Sequence, residues 1–280
     1  MFSALKTKEK QSAFTLVELL VVVAVLALLA SIVFSNLTGA REQAKISNAL
    51  SFQSNMHNLL GADLVGWWNF DDDTGNIAKD SSGYGNDGTI VGATRVDGVP
   101  GTSGKALEFN GSNSYVDLGK NNILTTDFYY WSMSIWAKPA TEDLSGMFSF
   151  QSGSNWRSSI HGNNLWRTRK PDGGTADDFA IPIIEGEGWV HFVFSFDGNN
   201  GVKEIYENGV SVARRTSLNH GVGLLGLSEC DGNFIGRAVS QNYYYTGLID
   251  DVRIYSRALT AYEVQTLYAQ TKDNYLAEEQ

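Results

Sequence analysis

Residues 189–198 read WVHFVFSFDG, and residues 131–139 read WSMSIWAKP. Val190, Phe192, Phe194 and Phe196 take alternate positions in the first, and Trp131, Met133, Ile135 and Ala137 do so in the second. A period of two puts such residues on one face of a β-strand, because successive Cβ atoms point to opposite sides. The flanking chain has the same texture. From Leu64 onward, short alternating runs are punctuated by Gly, Asn, Asp and Ser, which predicts an all-β sandwich. EIYENGVSVAR (204–214) is a hairpin pattern, with Asn208-Gly209 suited to a type I′ turn. GLIDDVRIYSRALTAYEVQTLY (247–268) reads as a strand and then a helix, with Thr260 and Glu263 spaced as a capping box. Trp67, Trp131, Trp136 and Trp189 are expected in the core.

The N-terminal part is different. In KEKQSAFTLVELLVVVAVLALLASIVF (8–34), the run from Phe14 to Phe34 has no Gly, no Pro and one charge, Glu18. Its length matches the roughly 20 apolar residues that cross a bilayer as a helix. Lys6, Lys8 and Lys10 precede it, which predicts a cytoplasmic N-terminus. An acid inside such a span costs roughly 2.5–3.5 kcal/mol on insertion scales, so it signals a function and a partner. The helix is expected to continue as a stalk to about Leu60. Ile46, Ala49, Phe52, Met56 and Leu59 form one apolar stripe, and Gly61 is a natural stop.

SAFTLVELLVVVAVLALLASI (12–32) resembles the N-terminus of type IV pilins and type II secretion pseudopilins. The resemblance implies that a prepilin peptidase cuts between Ala13 and Phe14, where the family usually has Gly before the cut. Glu18 is then the fifth residue of the mature chain. In that family it pairs with the N-terminal amine, often methylated, of a neighbouring subunit. In a low-dielectric filament core, such a pairing would specify register.

LVGWWNFDDDTGN (64–76), DSSGYGNDGTIVGA (80–93), GKALEFNGSNSYVDLG (104–119) and YTGLIDDVRIYSRALTAYEV (245–264) together resemble laminin-G-like, concanavalin A-like jelly rolls. The resemblance implies two antiparallel sheets face to face, with GWWNF beside IDDVRIY. The expected architecture is a long N-terminal transmembrane α-helix, an all-β jelly-roll sandwich and a short C-terminal helix. Residues 1–13 would be a cytoplasmic leader and 14–60 the helix and stalk, with the span at about 14–36. Residues 61–270 would form the sandwich and 271–280 a polar tail.

The chain of 280 residues has a formal net charge of −10. Residues 1–61 hold five basic and three acidic side chains, which leaves 16 basic and 28 acidic beyond them. An acidic outer domain argues against a nucleic-acid partner, which needs a basic footprint. Cys230 is the single cysteine, so no internal disulfide can form, and its expected role is that of a small buried residue.

Three chemistries are compatible with the loops. Calcium takes six to eight oxygens from such groups, and many laminin-G-like domains bind it. Asp80, Asn110 and Asp251 are the candidate ligands, although FNGSNSYV (109–116) has Asn110 and Asn113 where relatives often carry acids. Asx side chains in these loops can also simply build the turns. A glycan would need an aromatic platform beside polar groups. Trp156, Arg157, Trp166, Arg167 and Tyr244 are the candidates, in loop-like polar surroundings. The competing role is sandwich-edge packing, which suits Trp and Tyr equally. Catalysis is not expected. Glu185 and Glu187 in IIEGEGW (183–189) are interrupted by glycines, and His57, His161, His191 and His220 lack a metalloprotease spacing.

The expected function is that of a pilin-like filament subunit, a minor pilin, displaying a laminin-G-like domain for adhesion or recognition of a glycan or protein. Its partners would be other pilin subunits, prepilin peptidase and the inner membrane before assembly. Its final location would be an extracellular filament or the cell surface. The alternative is a pseudopilin or structural filament component with no ligand of its own.

Overall fold

The computed structural model describes residues 16–29, 60–72, 75–98, 104–119, 130–152, 156–161, 164–169, 177–182, 188–216, 232–238 and 243–272. The chain divides into two units, 1–55 and 56–280. In the first, residues 16–29 form an exposed helix, α1, whose apolar side chains include Leu16, Leu19, Leu20 and Val23. At 1.5 Å per residue it is about 21 Å long. Among the described residues no helix is long and apolar enough to cross a membrane. The apolar stripe expected between Ile46 and Leu59 lies outside the described residues. Helical backbone at 60–62 carries past the expected stop at Gly61.

The second unit is a sandwich. Its first sheet contains β1 (Leu64–Trp68), β4 (Thr94–Asp97), β5 (Lys105–Asn110), β7 (Tyr130–Pro139), β12 (Val190–Asp197), β13 (Val202–Glu207), β14 (Val210–Arg215) and β18 (Thr246–Tyr255). The spatial order is β14-β13-β12-β7-β18-β5-β4, with β1 also paired to β18. The second sheet contains β2 (Ile77–Ala78), β3 (Gly88–Val91), β6 (Tyr115–Gly119), β8 (Phe148–Ser152), β9 (Trp156–His161), β10 (Leu165–Arg169), β11 (Asp177–Ala180) and β15 (Asn233–Ile235). Its order is β11-β10-β9-β8-β15-β6-β3-β2. A short ribbon, β16 (Arg237–Ala238) with β17 (Tyr243–Tyr244), and a helix, α2 (Ala261–Thr271), complete the domain.

The two opening stretches are the central antiparallel pair. Trp131 stands opposite Phe196, Met133 opposite Phe194, Ile135 opposite Phe192 and Ala137 opposite Val190. All eight are buried in the core between the sheets. GWWNF does lie against IDDVRIY: Gly66 pairs with Ile254, Trp67 with Arg253 and Trp68 with Val252. That register corrects one expected core residue. Trp68 points inward and is fully buried, whereas Trp67 takes the other face and is only half-buried. The Asn208-Gly209 turn closes β13 on β14 with φ values of 49° and 82°, as a type I′ turn requires.

The central strands of the first sheet are buried on their outer face as well. Helix α2 begins with the full capping box, in which Thr260 accepts from Glu263 N and Glu263 accepts from Thr260 N. Arg257 joins Glu263 at 2.8 Å and Asp63 at 2.5 Å. From that anchored start the helix lays Val264 and Leu267 over Val193, Tyr206 and Tyr255, and Leu60 joins the same cluster. Further along, the Tyr268 ring stacks on Trp136 and His191, at 5.9 Å from each, and Trp136 Nε1 donates to Thr271 Oγ1. Trp136 and Trp189 are therefore buried beneath the helix rather than between the sheets. The start of the domain, at Leu60, and its last helix share one side of the sandwich.

Candidate functional site: an aromatic and arginine cluster on the second sheet

The opposite side is the outer face of the second sheet. Cross-strand partners share a face, so the register defines one row across it: Thr89, Asp117, Phe234, Ser149, Ser159, Arg167 and Asp178. Arg167 and Asp178 close one end with a two-pronged ion pair, Nε to Oδ1 at 2.6 Å and Nη2 to Oδ2 at 2.7 Å. The carboxylate pushes the pKa of Arg167 up, and nearby Tyr243 adds to the shift.

Toward the other end stands a cluster of rings. Tyr115 precedes core-facing Val116 on β6 and so shares the outer face with Asp117. Its ring lies 5.6 Å from Phe234 and 6.5 Å from Tyr244. The chain leaves the core at Ile235 through Gly236, which has φ +83°. A Cβ there would meet the Phe109 ring at 2.3 Å, so only glycine fits. The next residue is Arg237. Its guanidinium carbon lies 5.1 Å from the Tyr115 and Phe234 ring centres and 5.8 Å from that of Tyr244. Tyr115, Tyr244 and Arg237 are half-buried, and Phe234 is buried beneath them.

The structure thus joins Tyr244, expected from the sequence, to Tyr115, Phe234 and Arg237, which were not. Nothing in the sequence links position 115 to 237; the β6–β15 register does. The other expected ligand-binding residues divide. Arg167 is on the same face. Trp166 is corrected: it is fully buried in the inter-sheet core, 5.7 Å from the Trp131 ring, and its Nε1 donates to Ser158 Oγ. Opposite Ile160 on the inner face of β10, it cannot offer a ring to solvent. Trp156 and Arg157 open β9, and their side chains lie outside the described residues, as does that of His161. Tyr245 is likewise a core residue, edge-on to Phe109. Glu185, Glu187, His57, His220 and Cys230 lie outside the described residues.

The three expected calcium ligands are each engaged by neighbouring groups of the protein. Asp80 accepts from Trp67 N and Ser82 N on one oxygen, and from Ser82 Oγ and Asn86 N on the other. Asn110 Oδ1 accepts from Ser112 and Asn113 N and from two serine hydroxyls. Both are turn builders. Asp251 receives Trp67 Nε1 and is ion-paired with Arg253 at 2.9 Å. Asn110 faces Thr246, five residues along β18 from Asp251 or about 16 Å away. Among the described residues, no three His, Cys, Asp or Glu side chains are grouped to hold a metal. Ala13 and Phe14 lie outside the described residues, and Glu18 is on α1.

Comparison with known proteins agrees with this architecture. The prokaryotic N-terminal methylation motif matches residues 8–34. No match is found among curated proteins. Among solved structures, the chain is similar to domain 4 of AbnA, a GH43 extracellular arabinanase from Geobacillus stearothermophilus, solved in complex with arabinotriose. Identity is 26%, TM-score 0.56, and the match covers 74% of this chain and 98% of that one. The binding domain of Paraclostridial Mosquitocidal Protein 1 shares 20% identity at TM-score 0.56, over 75% of this chain and 53% of that one. Trypanosoma rangeli sialidase in complex with sialic acid shares 16% identity at TM-score 0.53, over 76% of this chain and 33% of the enzyme. The chain thus spans about half of the mosquitocidal domain and a third of the sialidase, and at those identities the likeness is one of fold. A family model covering residues 110–265, more than half of the chain, completes the assignment: this chain belongs to the concanavalin A-like lectin/glucanases superfamily.

Proposed function

We propose that this chain is a pilin-like subunit, a minor pilin, that displays a glycan-binding jelly roll, and that the glycan docks on Tyr115, Tyr244 and Arg237. The observation that carries the reading is the pair of half-buried tyrosine rings flanking an arginine on the side of the sandwich away from Leu60 and α2. A sugar ring stacks on an exposed aromatic face, and its hydroxyls find the phenols and the guanidinium. The complex of the AbnA domain with arabinotriose supports a carbohydrate as ligand. The N-terminal methylation motif supports processing by a prepilin peptidase, anchoring of the precursor in the inner membrane and later assembly with other pilins at the cell surface.

The test is a glycan array probed with the full chain in detergent micelles. Specific binding, weakened about tenfold by Tyr115→Ala or Tyr244→Ala with the thermal melt retained, is the expected result. No binding to any glycan would instead favour the purely structural subunit, a pseudopilin-type component.

A further inference from the structure

The arginines of the domain divide sharply. Arg95 donates from all three guanidinium nitrogens to carbonyls of the loop at Phe70, Gly75 and Ile77. Arg167 holds Asp178, Arg214 holds Glu204, Arg253 holds Asp251, and Arg257 holds Asp63 and Glu263. Arg215 donates to the carbonyl of Asp178. Among the described arginine side chains, that of Arg237 alone has neither a hydrogen bond nor an ion pair, and its Nε is sealed from solvent without a partner. Leaving a charged donor buried and unmet is costly. It is more telling in a chain with a net charge of −10, where carboxylates are plentiful. The three surrounding rings stabilise the cation through their faces, and the guanidinium donates to neither phenol oxygen.

From this we infer that Arg237 is the receptor for a carboxylate on the ligand, so that the glycans recognised at this cluster are acidic ones, carrying uronic or sialic acid units. The inference rests on the glycan-binding reading above. A planar carboxylate matches the Nη1–Nη2 edge of the guanidinium with two parallel charge-assisted hydrogen bonds, and the tyrosine rings then take the sugar.

The experiment compares acid and neutral partners on the same full-length chain in detergent. The probes are trigalacturonate and its carboxyl-reduced form, and sialyllactose and lactose. The expected result is a preference of roughly tenfold or more for the acid in at least one pair, weakened by salt. In Arg237→Gln the acid-to-neutral ratio should fall to about one, and Arg237→Lys should recover only part of it. Equal binding of acid and neutral forms would overturn the inference and leave the glycan reading standing. Acid preference that survives Arg237→Gln would also overturn it. Binding of none of the four probes, together with a blank glycan array, would remove both. The wild-type comparison needs no variant, so a failure of Arg237→Gln to fold does not decide the matter.

Discussion

Trp166 and His191 show how a single residue's environment sets its part. The Trp166 indole is edge-on to Trp131 and Phe194, and Lys203 Nζ lies 5.0 Å from its ring centre. Trp166→Ala should therefore cost about 3–5 kcal/mol of stability by opening a core cavity, read as a fall in the denaturant midpoint. Loss of glycan binding in that variant would report unfolding, not a lost platform. His191 is fully buried, with Ser134 Oγ at 2.7 Å from Nε2, the Trp136 and Tyr268 rings beside it, and its Nδ1 unpartnered. Burial, helped by the positive charge of Arg253, lowers its pKa to about 3. The unfolded chain, with a pKa near 6.5, then binds a proton that the folded one refuses. The stability from neutral His191 is present above pH 6.5 and is lost as pH falls toward 3, at about 1.4 kcal/mol per unit. Between pH 7 and 5, urea denaturation should show a loss of about 2 kcal/mol that is absent in His191→Gln.

At the scale of elements, α2 buries the outer face of the first sheet's central strands, whose inner face already lies in the core. Antiparallel sheets commonly leave one face wet and so alternate cleanly between apolar and polar. In β7 the alternation persists as Trp131, Met133, Ile135 and Ala137 against Ser132, Ser134 and Trp136, yet every one of these is buried. The serines are accommodated because they bond inward, with Ser132 Oγ accepting from Leu259 N and Ser134 Oγ bonded to His191. The helix that covers them depends on its first turn. Thr260→Ala removes the cap and should cost about 1 kcal/mol, detectable as a lower melting temperature. Hydrogen exchange should rise first at α2, while the β7–β12 pair stays protected.

For the whole molecule, an N-terminal segment carrying the methylation motif precedes a lectin-like sandwich whose first core residue, Leu60, packs on one side and whose ring cluster sits on the other. The assembly part of the proposal turns on Glu18. Glu18→Ala should leave membrane insertion intact, since it removes a charge from an apolar run, but should reduce filament assembly severely. Normal filament yield in the variant, by shearing and electron microscopy, would overturn that role. N-terminal sequencing of mature subunits should begin at Phe14; a start near Gly39 would indicate ordinary signal cleavage.

Local signals decided much of this protein. Period-two alternation placed Trp131 to Ala137 and Val190 to Phe196 in one core, Asn208-Gly209 set its hairpin, and Thr260 with Glu263 set its helix start. Each of these is fixed by covalent geometry or by hydrogen bonds within a few residues, so one stretch of sequence carries it. The neighbours Trp67 and Trp68 are equally apolar, and only pairing with Arg253 and Val252 decided which one the core received. The same holds for Trp166, whose polar neighbours in sequence gave no sign of the inner face it occupies. The ring cluster belongs wholly to the tertiary structure. Tyr115, Phe234, Arg237 and Tyr244 meet because β15 pairs with β6, more than a hundred residues before it, and local sequence does not encode that pairing.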